Sequence, residues 1–223
     1  EEGGAALNLL LELKPGYNIN SALPHLSSKV SLSSSEVTQK SNADNDLITL
    51  FKEAVAKAIT IDDTVELIAQ RYQTANQGEF YPFIAKLFRA LGYNCEHSRP
   101  GVNYQRWDAF IIDPEHSIPI EIKSPGEEEY LSVKAVRQAV ENKIILLARR
   151  PFPTQRCTTS LVVGYNLPND RSEVTSLIAD IYKAFDIVIG VIDLRSLLRM
   201  VAANLLQGKE HNTDQLKNLY GII

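Results

Sequence analysis

From Asp46 onward, apolar residues recur at three- and four-residue steps: Leu47, Leu50, Phe51, Ala54, Val55 and Ala58. That is the spacing of one helix face. Asp62, Asp63 and Thr64 offer caps for a second helix carrying Leu67, Ile68 and Tyr72. Gly78 resets the chain, and Glu79 to Leu91 reads as a third helix. Phe83, Leu87 and Leu91 form its stripe and Gly92 stops it.

After Gly92 the pattern shortens to strands. Tyr93 to His97 is a first candidate, and Arg99 to Asn103 a turn. Trp107 to Ile112 and Ser117 to Ile122 are two strands joined by the turn Asp113-Pro114-Glu115-His116, with Pro119 near a strand start, where proline is tolerated. A long helix, Leu131 to Arg149, carries a broad apolar face and is closed by Pro151 and Pro153. Strand Thr159 to Tyr165, helix Ser172 to Phe185, strand Ile187 to Asp193 and helix Leu194 to Leu206 complete the series. The order predicts an α/β protein: a central mixed β-sheet flanked by helices, made from a meander and later crossovers.

Residues 1–45 have another texture. Ala5 to Leu13 is a short apolar run ended by Lys14-Pro15-Gly16, and Ser21 to Ser41 is Ser-rich. This reads as a linker or arm ahead of a single domain over 46–223. Met200 is the lone methionine and residue 1 is Glu, so the expectation is a piece of a longer protein. No apolar run approaches the ~18 residues that a membrane span needs. The two cysteines, Cys95 and Cys157, do not make a disulfide scaffold, and no spacing suggests zinc. With no basic–apolar–small N-terminal pattern, the expected compartment is the cytoplasm. Net charge is −4, from 23 Lys+Arg against 27 Asp+Glu. A free-standing DNA reader is usually strongly basic, so the charge excludes that class.

The chemistry concentrates in one segment. Asp108 lies near the start of one strand, and Glu121 and Lys123 lie two apart at the end of the next. Strand residues i and i+2 share a face. A tight turn would set Asp108 across from Glu121, so two carboxylates and an ammonium would meet at one sheet end. Close carboxylates repel and favour a divalent cation. With the Ile122 carbonyl they make an all-oxygen set suited to Mg²⁺, with Mn²⁺ able to substitute. Lys123 beside it could orient a water and steady a phosphate, an arrangement for phosphodiester hydrolysis. The blander readings are an exposed strand Asp108, an exposed Glu121–Lys123 pair and a first-turn helix carboxylate at Glu79.

Asp108 followed thirteen positions later by Glu121-Ile122-Lys123 resembles the PD-(D/E)XK nuclease superfamily, the restriction-endonuclease-like fold. The resemblance runs from Glu79 to Tyr165 and implies an α-β-β-β-α-β core. Arg106-Trp107-Asp108 stands where the family has Pro-Asp. The resemblance implies a Mg²⁺-dependent endonuclease acting on DNA, laid out like the cleavage domain of a restriction enzyme. Asp108, Glu121, Ile122 and Glu79 would hold the metal, Lys123 would assist the water, and Gln138 would face the site. Arg99, Tyr104, Arg106, Lys134 and Arg137 are the candidates for holding DNA. Cutting both strands implies a homodimer or a second nuclease subunit, and the acidic charge implies a separate DNA-recognition domain. Helix Leu194 to Leu206 is a candidate interface or a core helix. The alternatives are a repair or junction-resolving nuclease of the same fold, and a non-catalytic nucleic-acid-binding or scaffold domain with a vestigial site.

Overall fold

In the computed structural model the described residues are 45–58, 60–98, 106–149, 152–207 and 213–223. Residues 1–44 of the expected arm and the candidates Arg99 and Tyr104 lie outside them. Among the described residues the first elements are three helices: α1 (Asn45–Val55), α2 (Ile61–Arg71) and α3 (Gln77–Ala90). Strands β1 (Cys95–His97), β2 (Ala109–Ile111) and β3 (Ile118–Lys123) follow, then α4 (Val133–Leu147), β4 (Ser160–Gly164), α5 (Val174–Phe185), β5 (Ile189–Asp193) and α6 (Leu194–Gln207). A 3₁₀ turn (Thr213–Asn218) leads to β6 (Gly221–Ile222). From α3 to β4 the order is α-β-β-β-α-β, as expected.

The six strands form one mixed sheet in sequence order. β1–β2 and β2–β3 are antiparallel, and β3–β4, β4–β5 and β5–β6 are parallel. Helices cover both faces. Ile118, Ile120, Ile122, Leu161, Val163 and Ile192 meet α1, α2, α3 and α6. On the other face Val162, Ile189 and Val191 meet α4 and α5. Both faces of the parallel half being covered explains why β3, β4 and β5 are buried along their whole length.

Several boundaries move, for local reasons. The α2 cap is Thr60, in a reciprocal capping box with Asp63, rather than Asp62 to Thr64. Helix α3 starts before Glu79, because Asn76 caps it. Gly92 takes φ 93° past its end, where a side chain would be strained. Helix α4 starts at Val133 behind the Ser132 cap rather than at Leu131, so Glu127 to Glu129 lie in the loop before it. β6 is too short to show a period. Helix α6 belongs to the core: Leu194, Leu197, Leu198, Val201 and Ala202 are fully buried. Arg195–Glu66 and Arg199–Asp62 ion pairs pin it to α2, which removes it as a free interface. Cys95 is buried in β1, and burial pushes its thiol up to about 12, away from reactivity. Among the described residues, no helix is long and apolar enough to cross a membrane.

Candidate active site

The hairpin of β2 and β3 sets the first two groups. Its register pairs Ala109 with Ile120, and one step further Asp108 stands opposite Glu121. The Asp108 N–H donates to the Ile120 carbonyl at 3.1 Å. The Ile122 N–H donates to Asp108 Oδ2 at 2.8 Å, so backbone and carboxylate both fix Asp108 against β3.

Glu121 and Lys123 leave β3 on the same side, as strand alternation requires. Lys123 Nζ donates to Glu121 Oε1 at 2.8 Å, and the two side chains are only 8% and 4% exposed. From α4, Asn142 Nδ2 donates to the other oxygen, Glu121 Oε2, at 2.8 Å. A buried charge is tolerable only when paired and hydrogen-bonded, and here each carboxylate oxygen has a donor.

Burial, and next the Glu121 charge, push the Asp108 carboxyl up to about 7. Burial also raises Glu121, against the pull of Lys123 and Asn142. Burial works to lower Lys123, but its hydrogen bond to Glu121 and the charges of Glu121, Asp108 and Glu127 raise it overall. Lys123 is therefore held as an ammonium between carboxylates that strain to be neutral.

A further carboxylate couples to all three groups. Glu127, on the turn after β3, accepts hydrogen bonds from Ser124 N–H (2.9 Å) and Ser124 Oγ (2.8 Å). It also accepts from Tyr81 OH (3.0 Å) and Gln77 Nε2 (2.6 Å), both on α3. Burial works to raise its pKa, but these donors bring it below the usual range. Burial, and then the charges of Asp108 and Glu127, hold the Tyr81 phenol protonated.

The other expected residues are placed as follows. Glu79 does not join the cluster: it is exposed, and its carboxylate accepts the Asn76 N–H at 3.1 Å, closing the α3 capping box. Gln138 lies one turn before Asn142 on α4, and its buried Oε1 has no hydrogen-bond partner among the described residues. Arg106 is exposed, 3.8 Å from Glu141. Lys134 and Arg137 are exposed on α4.

Asn142, Glu127, Tyr81 and Gln77 are absent from the sequence-derived set. Two of them had a signal. Asn142 follows Gln138 by one helical turn, and Ser124-Pro125-Gly126-Glu127 has the S-x-x-E form of a capping box. Tyr81 and Gln77 had none, because their partner comes from a loop whose path is set by the tertiary fold.

As to a cation, no group of three or more His, Cys, Asp or Glu side chains among the described residues is arranged to hold a metal. The donors at hand are Asp108 and Glu121. Their chemistry fits a hard divalent cation: Glu121 is buried and Asp108 half-buried, and a positive charge would relieve the repulsion between these oxygen donors. The unpartnered Gln138 Oε1 is a neutral oxygen on the helix that faces them.

No family model and no curated protein matches this chain. Among solved structures, the chain is similar to restriction endonuclease FokI bound to DNA, at TM-score 0.48 and 14% identity. The match covers 81% of this chain and 34% of that one, so this chain spans about a third of that protein's length.

Proposed function

We propose that this chain is a divalent-metal-dependent endonuclease domain that hydrolyses DNA phosphodiester bonds, in the manner of a restriction-enzyme cleavage module. The observation that carries the reading is the buried Glu121–Lys123 pair at the end of β3 with Asp108 fixed across from it. Burying such a cluster costs stability, and that cost has a use when the groups act on a charged substrate.

Asp108 and Glu121, with the Ile122 carbonyl, would hold Mg²⁺ or Mn²⁺. When bound, such an ion neutralises phosphate charge and acidifies a water. The residues supply the rest. Asn142 and Lys123 fix the direction of the Glu121 carboxylate. Lys123, held as an ammonium, donates to a phosphate oxygen or to the incoming water and offsets charge as the phosphorus becomes pentavalent. Arg106, Lys134 and Arg137 are the exposed cations available to the DNA backbone. Cutting both strands calls for a second site, from another copy or another nuclease subunit. At −4 net charge, affinity for DNA comes chiefly from a tethered or associated reader.

The test is cleavage of supercoiled plasmid in Mg²⁺ or Mn²⁺ against the same reaction in chelator. Nicked or linear product in metal and none in chelator is expected. Intact plasmid with both metals at high protein concentration would overturn the reading.

A further inference from the structure

We infer that Tyr81 and Glu127 form a latch that positions the end of β3, so that both are positioning residues for Glu121 and Lys123. The effect on turnover rests on the nuclease reading above; the hold on the strand end does not.

Pairing between β3 and β4 ends at Lys123–Gly164. Directly beyond it, at Ser124, a carboxylate takes hold of the backbone. Glu127 Oε2 accepts from both the N–H and the hydroxyl of Ser124, at 2.9 and 2.8 Å. The Glu127 and Glu128 N–H groups donate back to the Ser124 carbonyl at 2.9 and 3.1 Å. These bonds close the turn on itself directly after the lysine.

The same carboxylate reaches another rigid element. Tyr81 OH donates to Oε2 at 3.0 Å and lies 3.2 Å from Oε1, and Gln77 Nε2 donates to Oε1 at 2.6 Å. Gln77 and Tyr81 are four residues apart on α3, so they present one face of that helix. Glu127 thus ties Ser124, the residue directly after β3, to a helix more than forty positions earlier in the chain. The state of each partner favours the tie: the phenol stays protonated and donates, and the carboxylate stays ionised and accepts.

The consequence is geometric. Glu121 and Lys123 take their direction from the last three residues of β3. A misplacement of ~1 Å in a catalytic group costs on the order of 100-fold in rate. Tyr81 acts on them through Glu127 and the Ser124 backbone.

The experiment compares Tyr81→Phe and Glu127→Gln with the unaltered full chain at a temperature where all are folded. Amide exchange at Ser124 and Ile122 is read by NMR, and plasmid cleavage by kcat and KM separately. The latch predicts exchange about tenfold faster at both amides in Tyr81→Phe, although Tyr81 bonds to neither. It predicts kcat about tenfold lower with KM within about twofold, and a double variant no worse than Glu127→Gln alone. Unchanged exchange at Ile122 in Tyr81→Phe overturns the latch, whatever happens to cleavage. Unchanged kcat in both variants of an active enzyme overturns its role in turnover. Should the unaltered chain cut nothing, the nuclease reading fails, and the exchange comparison alone decides the latch.

Discussion

Asn142 and Lys123 grip opposite oxygens of the Glu121 carboxylate, each at 2.8 Å, one from helix α4 and one from the same strand. The relationship makes Asn142 as much a part of the site as the lysine, though it lies twenty-one positions after Glu121 in the chain.

Replacing Asn142 tests that relationship. Asn142→Ala leaves one oxygen of a buried carboxylate without its donor and lowers unfolding free energy by about 1–3 kcal/mol. Asn142→Asp sets a carboxylate against Glu121 and costs more at pH 7. Part of that loss returns toward pH 4, where one of the pair takes up a proton. Urea denaturation of both variants at the two pH values reads the difference.

Asp108 weakens the fold it serves. Its carboxyl has a pKa of about 7 in the folded chain, against an ordinary value of 3.8. Between those values the folded state binds more protons than the unfolded one, so stability falls as pH rises through the window. Asp108→Asn keeps an oxygen for the Ile122 N–H and removes the charge. In the absence of metal it should stabilise the protein by on the order of 2–4 kcal/mol at pH 8 and by nothing at pH 3.5. Equal stability of the two proteins at pH 8 in chelator contradicts the electrostatic account.

Lys143, one position after Asn142, has the opposite sign. It is fully buried, with Nζ donating to Thr154 Oγ1 at 2.7 Å, and burial lowers its pKa to about 7. Between pH 7 and the ordinary value of 10.5 the unfolded state binds more protons. Stability therefore rises with pH through that window, and the penalty is complete below it. Lys143→Met should stabilise by on the order of 1–4 kcal/mol at pH 6. The gain should shrink toward pH 10, as read by denaturation at both values.

These groups show what was legible in the chain. The α-β-β-β-α-β order, the face shared by Glu121 and Lys123, and Asp108 opposite Glu121 all follow from local periodicity and one tight hairpin. Both are short-range physics. Asn142, Tyr81 and Gln77 meet their partners only after α4 and α3 dock on the sheet, and no local pattern encodes that docking. Lys143 lies among the buried residues of α4, and a lone lysine in an apolar stretch carries no local sign of its burial. Glu79 had two readings for a local reason: a first-turn carboxylate serves a helix cap as readily as a cation, and here the Asn76 cap at the start of α3 recruits it.

Glu79 and Glu127 consequently separate under substitution. Glu79→Ala removes half of a capping box and should cost about 0.5–2 kcal/mol of stability while leaving cleavage within about twofold. Glu127→Ala should lower cleavage at least tenfold at a temperature where it is folded. A thermal melt and a plasmid assay on both variants check the pair.

Asp108 and Lys123 are the groups on which the proposed hydrolysis depends most directly. Single-turnover cleavage of plasmid DNA in Mg²⁺ should fall by about a thousandfold or more in Asp108→Ala and in Lys123→Ala, with both variants folded by circular dichroism. Cleavage at the unaltered rate by either variant would contradict the assignment of this cluster as the hydrolytic centre.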